Sequence, residues 1–205
     1  VAAISLSTGS GIPIICNGYK DTEYIETILY ATKIGYTITI VVEKLFELEK
    51  IIELAKKTGI RPRLGIRVKL SSKGTGKWAT SGGEDAKFGL RISEIITAID
   101  LLKQHGLIDS VKLLHSHIGS QITKIDKIKT ALIEAARIYS EMRKLGMNIE
   151  YLDIGGGLGV DYDGSKSSYF SSVNYTVEEY ANDVIYQIKN ICDEAGVDCP
   201  NIISE

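Results

Sequence analysis

Polar side chains that could take part in chemistry follow short apolar runs throughout the chain. Imidazole, carboxylate and guanidinium groups transfer protons and hold charged ligands, so their recurrence in one structural position is typical of a reaction centre. The residues at these positions are Asn17, Glu43, Arg67, His115 with His117, and Glu205. If the apolar runs are parallel strands, these side chains stand at their carboxyl ends, where parallel sheets bind ligands.

One apolar run, IEYLDI, is followed by glycines at positions 155, 156 and 157 instead of a charged group. Consecutive backbone N–H groups after a strand form a concave surface that binds anions, most often phosphate. The spacing is not the dinucleotide fingerprint G-x-G-x-x-G, and no Gly-Lys-Ser/Thr of a Walker A loop follows. We therefore expect an anion-binding turn, with a tight turn that binds no ligand as the alternative.

The two histidines of HSH allow a second interpretation. His115 and His117 lie two residues apart in a predicted strand, which places both side chains on one face. Such a pair can ligate a metal ion, so a metal-dependent hydrolase is an alternative function. His105 lies near a predicted helix end and is a poor third ligand, which leaves carboxylates as substitutes. Hydrogen-bonded histidines of the core are the other alternative.

The elements that must position these residues alternate between β-rich and helical segments. Six strands separated by amphipathic helices predict a parallel sheet wrapped by helices, either a doubly wound sheet or a (β/α)8 barrel. The predicted strands are residues 12–16, 37–42, 61–68, 110–117, 149–154 and 201–204. The predicted helices include residues 22–33 and 45–58, a helix with its N-cap at Ser93, and a helix that follows a capping box of Thr176 and Glu179. A further helix has an apolar face formed by Ile128, Ala131, Leu132, Ala135, Tyr139 and Met142.

Composition excludes several classes of protein. Hydrophobic residues make up 44% and charged residues 24% of the 205 positions, as in ordinary globular proteins. The net charge of -2 lacks the basic surplus of a nucleic-acid-binding protein, so no nucleic-acid partner is expected. No apolar stretch reaches the roughly 18 residues that span a bilayer. Three widely spaced cysteines predict neither a disulfide framework nor a metal site, which favours a cytoplasmic location.

A long connection rich in glycine and serine covers residues 70–89 and contains the single tryptophan of the chain, Trp78. It is longer than an ordinary connection between a strand and a helix. We expect it to act as a lid over the predicted site, with a surface excursion as the alternative.

Five stretches together resemble one known family. They are CNGYKD, SGGEDAKFGL, LLHSHIGSQI, DIGGGLGVDYDG and SVNY. They are similar to the biosynthetic arginine decarboxylases, the arginine branch of the barrel-type (fold type III) pyridoxal-phosphate decarboxylases. The glycines and the His-x-Gly-Ser element are shared with ornithine and diaminopimelate decarboxylases, whereas CNGYKD, HIGSQ and GVDYDG indicate the arginine branch.

The resemblance implies a fold and a domain organisation. The fold is an α/β (β/α)8 TIM barrel of the alanine-racemase-like, pyridoxal-phosphate-binding type. Residues 1–205 correspond to an incomplete barrel domain, about strands 3 to 8, and the first two strands and a C-terminal β domain are expected outside this sequence. The lysine that binds the cofactor covalently is therefore expected before Val1. Lys20 does not match it.

The resemblance also implies roles for residues at the strand ends. The glycines at 155–157 match the cradle of the cofactor phosphate, and Ser120 matches a nearby phosphate or cofactor contact. His117 matches the imidazole that stacks on the pyridine ring, and Arg67 an arginine beside the ring. Glu205 matches the carboxylate that bonds the ring nitrogen and keeps it protonated, so His117 and Glu205 are the predicted catalytic residues. No metal ligands are predicted.

The activity implied is the decarboxylation of L-arginine to agmatine and CO2 in arginine catabolism and in putrescine and spermidine biosynthesis. Pyridoxal 5'-phosphate is the implied cofactor and Mg2+ is expected as well. The resemblance further implies a homo-oligomer whose active site is shared between subunits. Alternatives are a decarboxylase of another basic amino acid or of diaminopimelate, or a non-catalytic relative that serves as a regulatory module.

Overall fold

The computed structural model describes residues 11–72, 87–167, 169 and 171–205. Most of the predicted lid, residues 73–86 with Trp78, lies outside the described residues. The chain divides into two compact units, the first comprising residues 1–68 and 88–114 and the second residues 69–87 and 115–205. Each unit alternates strands and helices, and each is described in turn.

The first unit is built from parallel strands in the order β1-β2-β3-β4. Its elements are β1 (Ile14–Cys16), α1 (Thr22–Lys33), β2 (Ile38–Val42), α2 (Leu45–Thr58), β3 (Arg63–Val68), α3 (Ile92–Gln104), a short 3-10 helix (Ile108–Ser110) and β4 (Val111–Ser116), whose last two residues belong to the second unit. Every residue of β2 is buried, as expected for a strand covered on both faces. Register pairs Ile14 with Ile38 and Val42 with Ile66, so apolar side chains align across the sheet.

The second unit contains the end of β4, α4 (Ile125–Lys144), β5 (Tyr151–Asp153), α5 (Val177–Ala195) and β6 (Asn201–Ile203). Strands β5 and β6 pair in parallel, with Asp153 opposite Ile203. The predicted apolar face of α4 is confirmed, because all six of its residues are buried. Within it the Tyr139 hydroxyl donates a hydrogen bond to the carbonyl of Asp198, 2.8 Å away, which satisfies the polar end of a buried ring.

Most predicted boundaries agree with the structure to within two residues. Strands β1, β3 and β5 each begin two residues later than predicted. Strand β1 begins at Ile14, not at residue 12, and β4 ends at Ser116, so His117 follows the strand instead of lying in it. The N-cap of α3 is Arg91, two residues before Ser93, because Glu94 accepts a hydrogen bond from the Arg91 N–H at 2.8 Å and closes the first turn there. The capping box of Thr176 and Glu179 is confirmed.

Two further sequence expectations concern cysteines and membranes. All three cysteines are free thiols, and Cys16 is buried, as expected for a small apolar side chain. Burial raises the pKa of the Cys16 thiol above its ordinary value. None of the helices in the described ranges combines the length and apolarity needed to cross a membrane.

The Glu134 carboxylate on α4 binds residues 71 and 72, which follow β3 in the chain. Glu134 accepts hydrogen bonds from the N–H groups of Ser71 and Ser72, at 2.6 and 2.9 Å, and from the Ser72 hydroxyl. Burial alone would raise the pKa of Glu134, but these donors outweigh it and hold the pKa below the ordinary value of 4.5. The three contacts fix residues 71 and 72 against a helix of the same unit.

Replacing Glu134 with Gln is expected to lower the free energy of unfolding by about 1 kcal/mol at pH 7, because a partly exposed carboxylate loses its charge while keeping one acceptor. The lowered pKa of Glu134 means that its stabilisation is present above pH 4.5 and lost as the pH falls through the folded-state value. The difference between wild type and E134Q, measured by urea unfolding at pH 7, 5 and 4, is therefore expected to shrink towards pH 4.

The matched control is Glu141→Gln on the same helix. Glu141 forms an exposed ion pair with Lys144, at 2.9 Å, and such pairs contribute little to stability. This variant is expected to unfold like wild type at every pH. A pH-independent difference for E134Q would contradict the assignment.

Candidate functional site

The glycine turn, residues 155–157, is a place where three segments of the second unit approach more closely than side chains allow. A Cβ on Gly155 would stand 2.7 Å from the Ser116 carbonyl and 2.9 Å from Nδ1 of His117. A Cβ on Gly157 would overlap the carbonyl of Gly119. Gly155 and Gly157 also adopt φ angles of +68° and +109°, which L side chains rarely take. Glycine is therefore required here by packing and by backbone conformation.

Glu205 is fixed to the same turn through its backbone. Its N–H donates to the Gly155 carbonyl at 3.0 Å, continuing a ladder in which Ile154 donates to Ile203 at the same distance. A Cβ on Gly156 would lie 3.0 Å from the Glu205 carbonyl and 3.5 Å from its Cβ. The exposed Glu205 thus lies directly beside the turn.

Two backbone donors of the turn are available for a ligand. Within the described part of the chain, neither Gly156 nor Gly157 donates its N–H to a protein acceptor. Both residues are half-buried. Adjacent unsatisfied N–H groups attract an anion, and this observation fits a phosphate.

The segment HIGSQ and the residue that follows it, Ile122, form hydrogen bonds with residues 157 and 160 of the glycine-rich segment. The side chain of Gln121 donates to the carbonyl of Val160 at 2.8 Å and accepts from the Val160 N–H at 2.9 Å. Ile122 donates its N–H to the carbonyl of Gly157 at 2.9 Å. Ser120 is exposed beside these contacts. The amide of Gln121 therefore joins the two loops, a contact that the motif HIGSQ did not predict.

Tyr175, in the motif SVNY, closes the far end of the glycine-rich segment. Its hydroxyl donates to the Ile122 carbonyl at 2.6 Å and accepts from the Gly159 N–H at 3.0 Å. Burial raises the pKa of Tyr175 above its ordinary value. The neutral hydroxyl of Tyr175 thus joins the two loops, a contact that the sequence did not predict.

His115 and Asp153 are buried together behind the turn. Nδ1 of His115 lies 2.9 Å from Oδ2 of Asp153, and the other carboxylate oxygen of Asp153 accepts the Gly155 N–H at 2.9 Å. Side-chain atoms of His115, Asp153 and Glu205 lie within 4.8 Å of one another, and His117 is not in this group. Among the described residues His115 is therefore grouped with Asp153 and Glu205, not with His117 as in the alternative of a metal-binding histidine pair.

The first unit carries its own cluster at the ends of β2 and β3. Glu43 accepts hydrogen bonds from the Arg67 guanidinium at 2.8 Å and from the Gly18 N–H at 3.0 Å. The guanidinium also lies 5.7 Å from the centre of the Phe88 ring, a cation–π contact. Because Glu43 is fully buried, these donors offset the cost of removing its charge from water. The sequence predicted both charges at strand ends but not their pairing.

Lys20 is buried at 2% exposure in the same unit. Its ammonium group donates to the Gly18 carbonyl and lies 3.6 Å from a carboxylate oxygen of Glu47. Glu47 in turn accepts the N–H of Glu43 at 2.8 Å. Lys20 is therefore engaged in a buried ion pair that supports the start of α2.

Comparison with known proteins supplies a family for this geometry. Residues 5–205 match the family described as "Pyridoxal-dependent decarboxylase, pyridoxal binding domain". The whole chain is 90% identical to a protein of Pelobacter propionicus and 83% identical to one of Geobacter sulfurreducens, each named "Biosynthetic arginine decarboxylase". The chain spans about a third of the relatives' length, since it covers 32% of each.

Solved structures give the same assignment of fold. The biosynthetic arginine decarboxylase of Campylobacter jejuni aligns with all of this chain and 33% of its own, at 39% identity and a TM-score of 0.86. A diaminopimelate decarboxylase of M. jannaschii, solved with L-lysine, also aligns with the entire chain and with 44% of its own, at 25% identity and a TM-score of 0.76. The predicted fold class, a partial (β/α)8 barrel, is confirmed.

Gly157→Ala tests the close approach at the turn. The substitution combines a strained backbone with an overlap against the Gly119 carbonyl, so we expect the free energy of unfolding to fall by about 3 kcal/mol or more. Urea unfolding of the full-length protein measures the change.

Gly164→Ala is the matched control. Gly164 also has a positive φ, +71°, but nothing lies within 4 Å of the position of its Cβ. Only the backbone cost of about 1 kcal/mol is expected. Equal losses in the two variants would show that close packing at Gly157 is unimportant.

Proposed function

Since the chain belongs to the pyridoxal-dependent decarboxylases, we propose that the whole protein converts L-arginine to agmatine and CO2. The observation that carries this proposal is the 90% identity, over all 205 residues, to a protein named as a biosynthetic arginine decarboxylase. Identity to the diaminopimelate decarboxylase is only 25%. Residues 1–205 then form most of a cofactor-binding barrel domain, and the rest of the domain and a β domain belong to the remaining two thirds of the protein.

The glycine turn holds the cofactor phosphate in this proposal. The N–H groups of Gly156 and Gly157 are unsatisfied within the described residues and aligned in one turn, as an anion site requires. Ser120, exposed on the neighbouring loop, contributes a further phosphate or cofactor contact. A phosphate held by rigid backbone positions the reactive part of the cofactor without itself reacting.

His117 and Glu205 act on the ring of the cofactor. The imidazole of His117 lies next to Gly155, and Glu205 lies next to Gly156, so both residues adjoin the same turn. His117 would stack on the ring and fix its plane, and the Glu205 carboxylate would accept a hydrogen bond from the ring nitrogen and keep it protonated. When bound, pyridoxal phosphate supplies the electron sink for the charge left by the departing carboxylate. The family resemblance also assigns Arg67, whose guanidinium is bound by Glu43 at 2.8 Å, a contact with the cofactor.

The remaining parts of the proposal rest on the resemblance alone. They are a dependence on Mg2+, a place in putrescine and spermidine synthesis, a cytoplasmic location, and a homo-oligomer that shares its active sites between subunits. The alternatives are a decarboxylase with another substrate and a regulatory module without catalysis. Absorbance of the bound cofactor in the purified full-length protein separates the module, which would show none, from an enzyme.

The substrate assignment is tested by offering the full-length protein carboxyl-labelled arginine, ornithine, lysine and diaminopimelate and measuring the release of labelled CO2. We expect release from arginine at least about 100-fold faster than from the others, because a site built to hydrogen-bond a guanidinium leaves polar groups unpaired with shorter substrates. Release from a different substrate alone would overturn the assignment to the arginine branch.

Glu205→Gln tests the electronic role of the carboxylate. Glutamine keeps the size and an acceptor oxygen but not the charge that holds the ring proton, so kcat is expected to fall roughly 100-fold or more while cofactor affinity changes little. Steady-state kinetics and cofactor titration measure the two effects. Glu194→Gln, at an exposed glutamate of α5, is the control and should match wild type. A parallel loss of kcat and affinity would assign Glu205 to anchoring instead.

A further inference from the structure

His115 and Asp153 are buried together behind the glycine turn, and the proposed function gives them no role. Their side chains are 2% and 0% exposed. Burying a carboxylate and an imidazole costs several kcal/mol unless they compensate each other. A chain that needed only packing at these positions would be served by apolar residues, so the pair requires an explanation.

His115 and Asp153 lie close together but do not form a well-aligned hydrogen bond with each other. Nδ1 of His115 and Oδ2 of Asp153 are 2.9 Å apart, yet neither atom has an aligned hydrogen-bond partner among the described residues. The other oxygen of Asp153 is fixed by the Gly155 N–H at 2.9 Å. Asp153 is thus anchored to the glycine turn, and the imidazole stands beside it with hydrogen-bonding capacity in reserve.

Glu205 is the third member of this group. Side-chain atoms of His115, Asp153 and Glu205 lie within 4.8 Å of one another, and the Glu205 N–H is bonded to the Gly155 carbonyl. Two ionised carboxylates at such a distance repel each other, and an adjacent imidazole that donates a hydrogen bond to one of them reduces the repulsion. The same residue, Gly155, is therefore tied to both acids, through its N–H and through its carbonyl.

We propose that His115 and Asp153 are positioning residues that hold the Glu205 carboxylate at the ring nitrogen of the cofactor. His115 offsets the repulsion between the two acids, and Asp153 links their position to the glycine turn. The Glu205 carboxylate, the proposed partner of the ring nitrogen, is then held in a fixed position relative to the glycine turn. This inference rests on the proposed function, because it acts through the cofactor ring.

The test compares two cofactors on the full-length protein. One is pyridoxal phosphate, and the other is its analogue with a C–H group in place of the ring nitrogen. Wild type is expected to bind the nitrogen form more tightly. In His115→Gln this preference should shrink roughly tenfold, because one charge-assisted contact acting through Glu205 is lost, while affinity for the carbon analogue stays within about twofold. Titration followed by absorbance gives both dissociation constants.

Two further variants sharpen the result. In a Glu205→Gln background, His115→Gln should cause no additional loss of preference, since its effect passes through Glu205. His105→Gln, at an exposed histidine near the end of α3, is the matched control and should behave as wild type. If His115→Gln does not fold, His115→Asn, which places an amide nitrogen near the position of Nδ1, is measured instead with the same expectation but a smaller loss.

The outcomes separate the inference from the proposed function. An equal loss of affinity for both cofactors in the His115 variants would mean that the pair merely supports the fold, and it would overturn the inference alone. Failure of wild type to bind either cofactor would overturn the proposed function and, with it, this inference. A selective loss for the nitrogen form supports both.

Discussion

The approach of backbone to backbone at the glycine turn is the constraint on which the candidate site depends. Gly155, Gly156 and Gly157 let the ends of β4 and β6 and the loop after β4 meet within distances that any side chain would prevent. The carbonyls of Gly155 and Gly157 accept hydrogen bonds from Glu205 and Ile122, whereas the amides of Gly156 and Gly157 have no acceptor among the described residues. The glycines therefore have two functions: they allow the three segments to meet, and they leave a donor surface for an anion.

Buried charges in both units follow one physical rule. In the first unit Glu43 is paired with Arg67, and in the second Asp153 is paired with His115. Each pair lies where a strand ends, so the acid is removed from water yet remains near a surface that a ligand can reach. Low polarity strengthens these interactions and makes them expensive to break, which is why such pairs hold neighbouring groups in defined positions.

The family assignment and the substrate proposal stand on different ground. The family match covers nearly all of this chain, whereas the chain covers only 32% of the arginine decarboxylase of Pelobacter propionicus. The residues proposed to hold a phosphate and a ring fall within the 205 positions.

The sequence by itself determined the alternation of strands and helices, the apolar face of α4 and the polar residues at the strand ends, because these depend on periodicity and on neighbouring residues. It also predicted roles for the glycines, His117 and Glu205, because the motifs that carry the family resemblance are local stretches of sequence. Only tertiary structure revealed that Asp153 joins His115 to the turn, that Gln121 and Tyr175 bind the loops together, and that Lys20 is paired with Glu47. These contacts unite residues far apart in the chain, and a side chain's partner across such a distance is set by packing, not by local pattern.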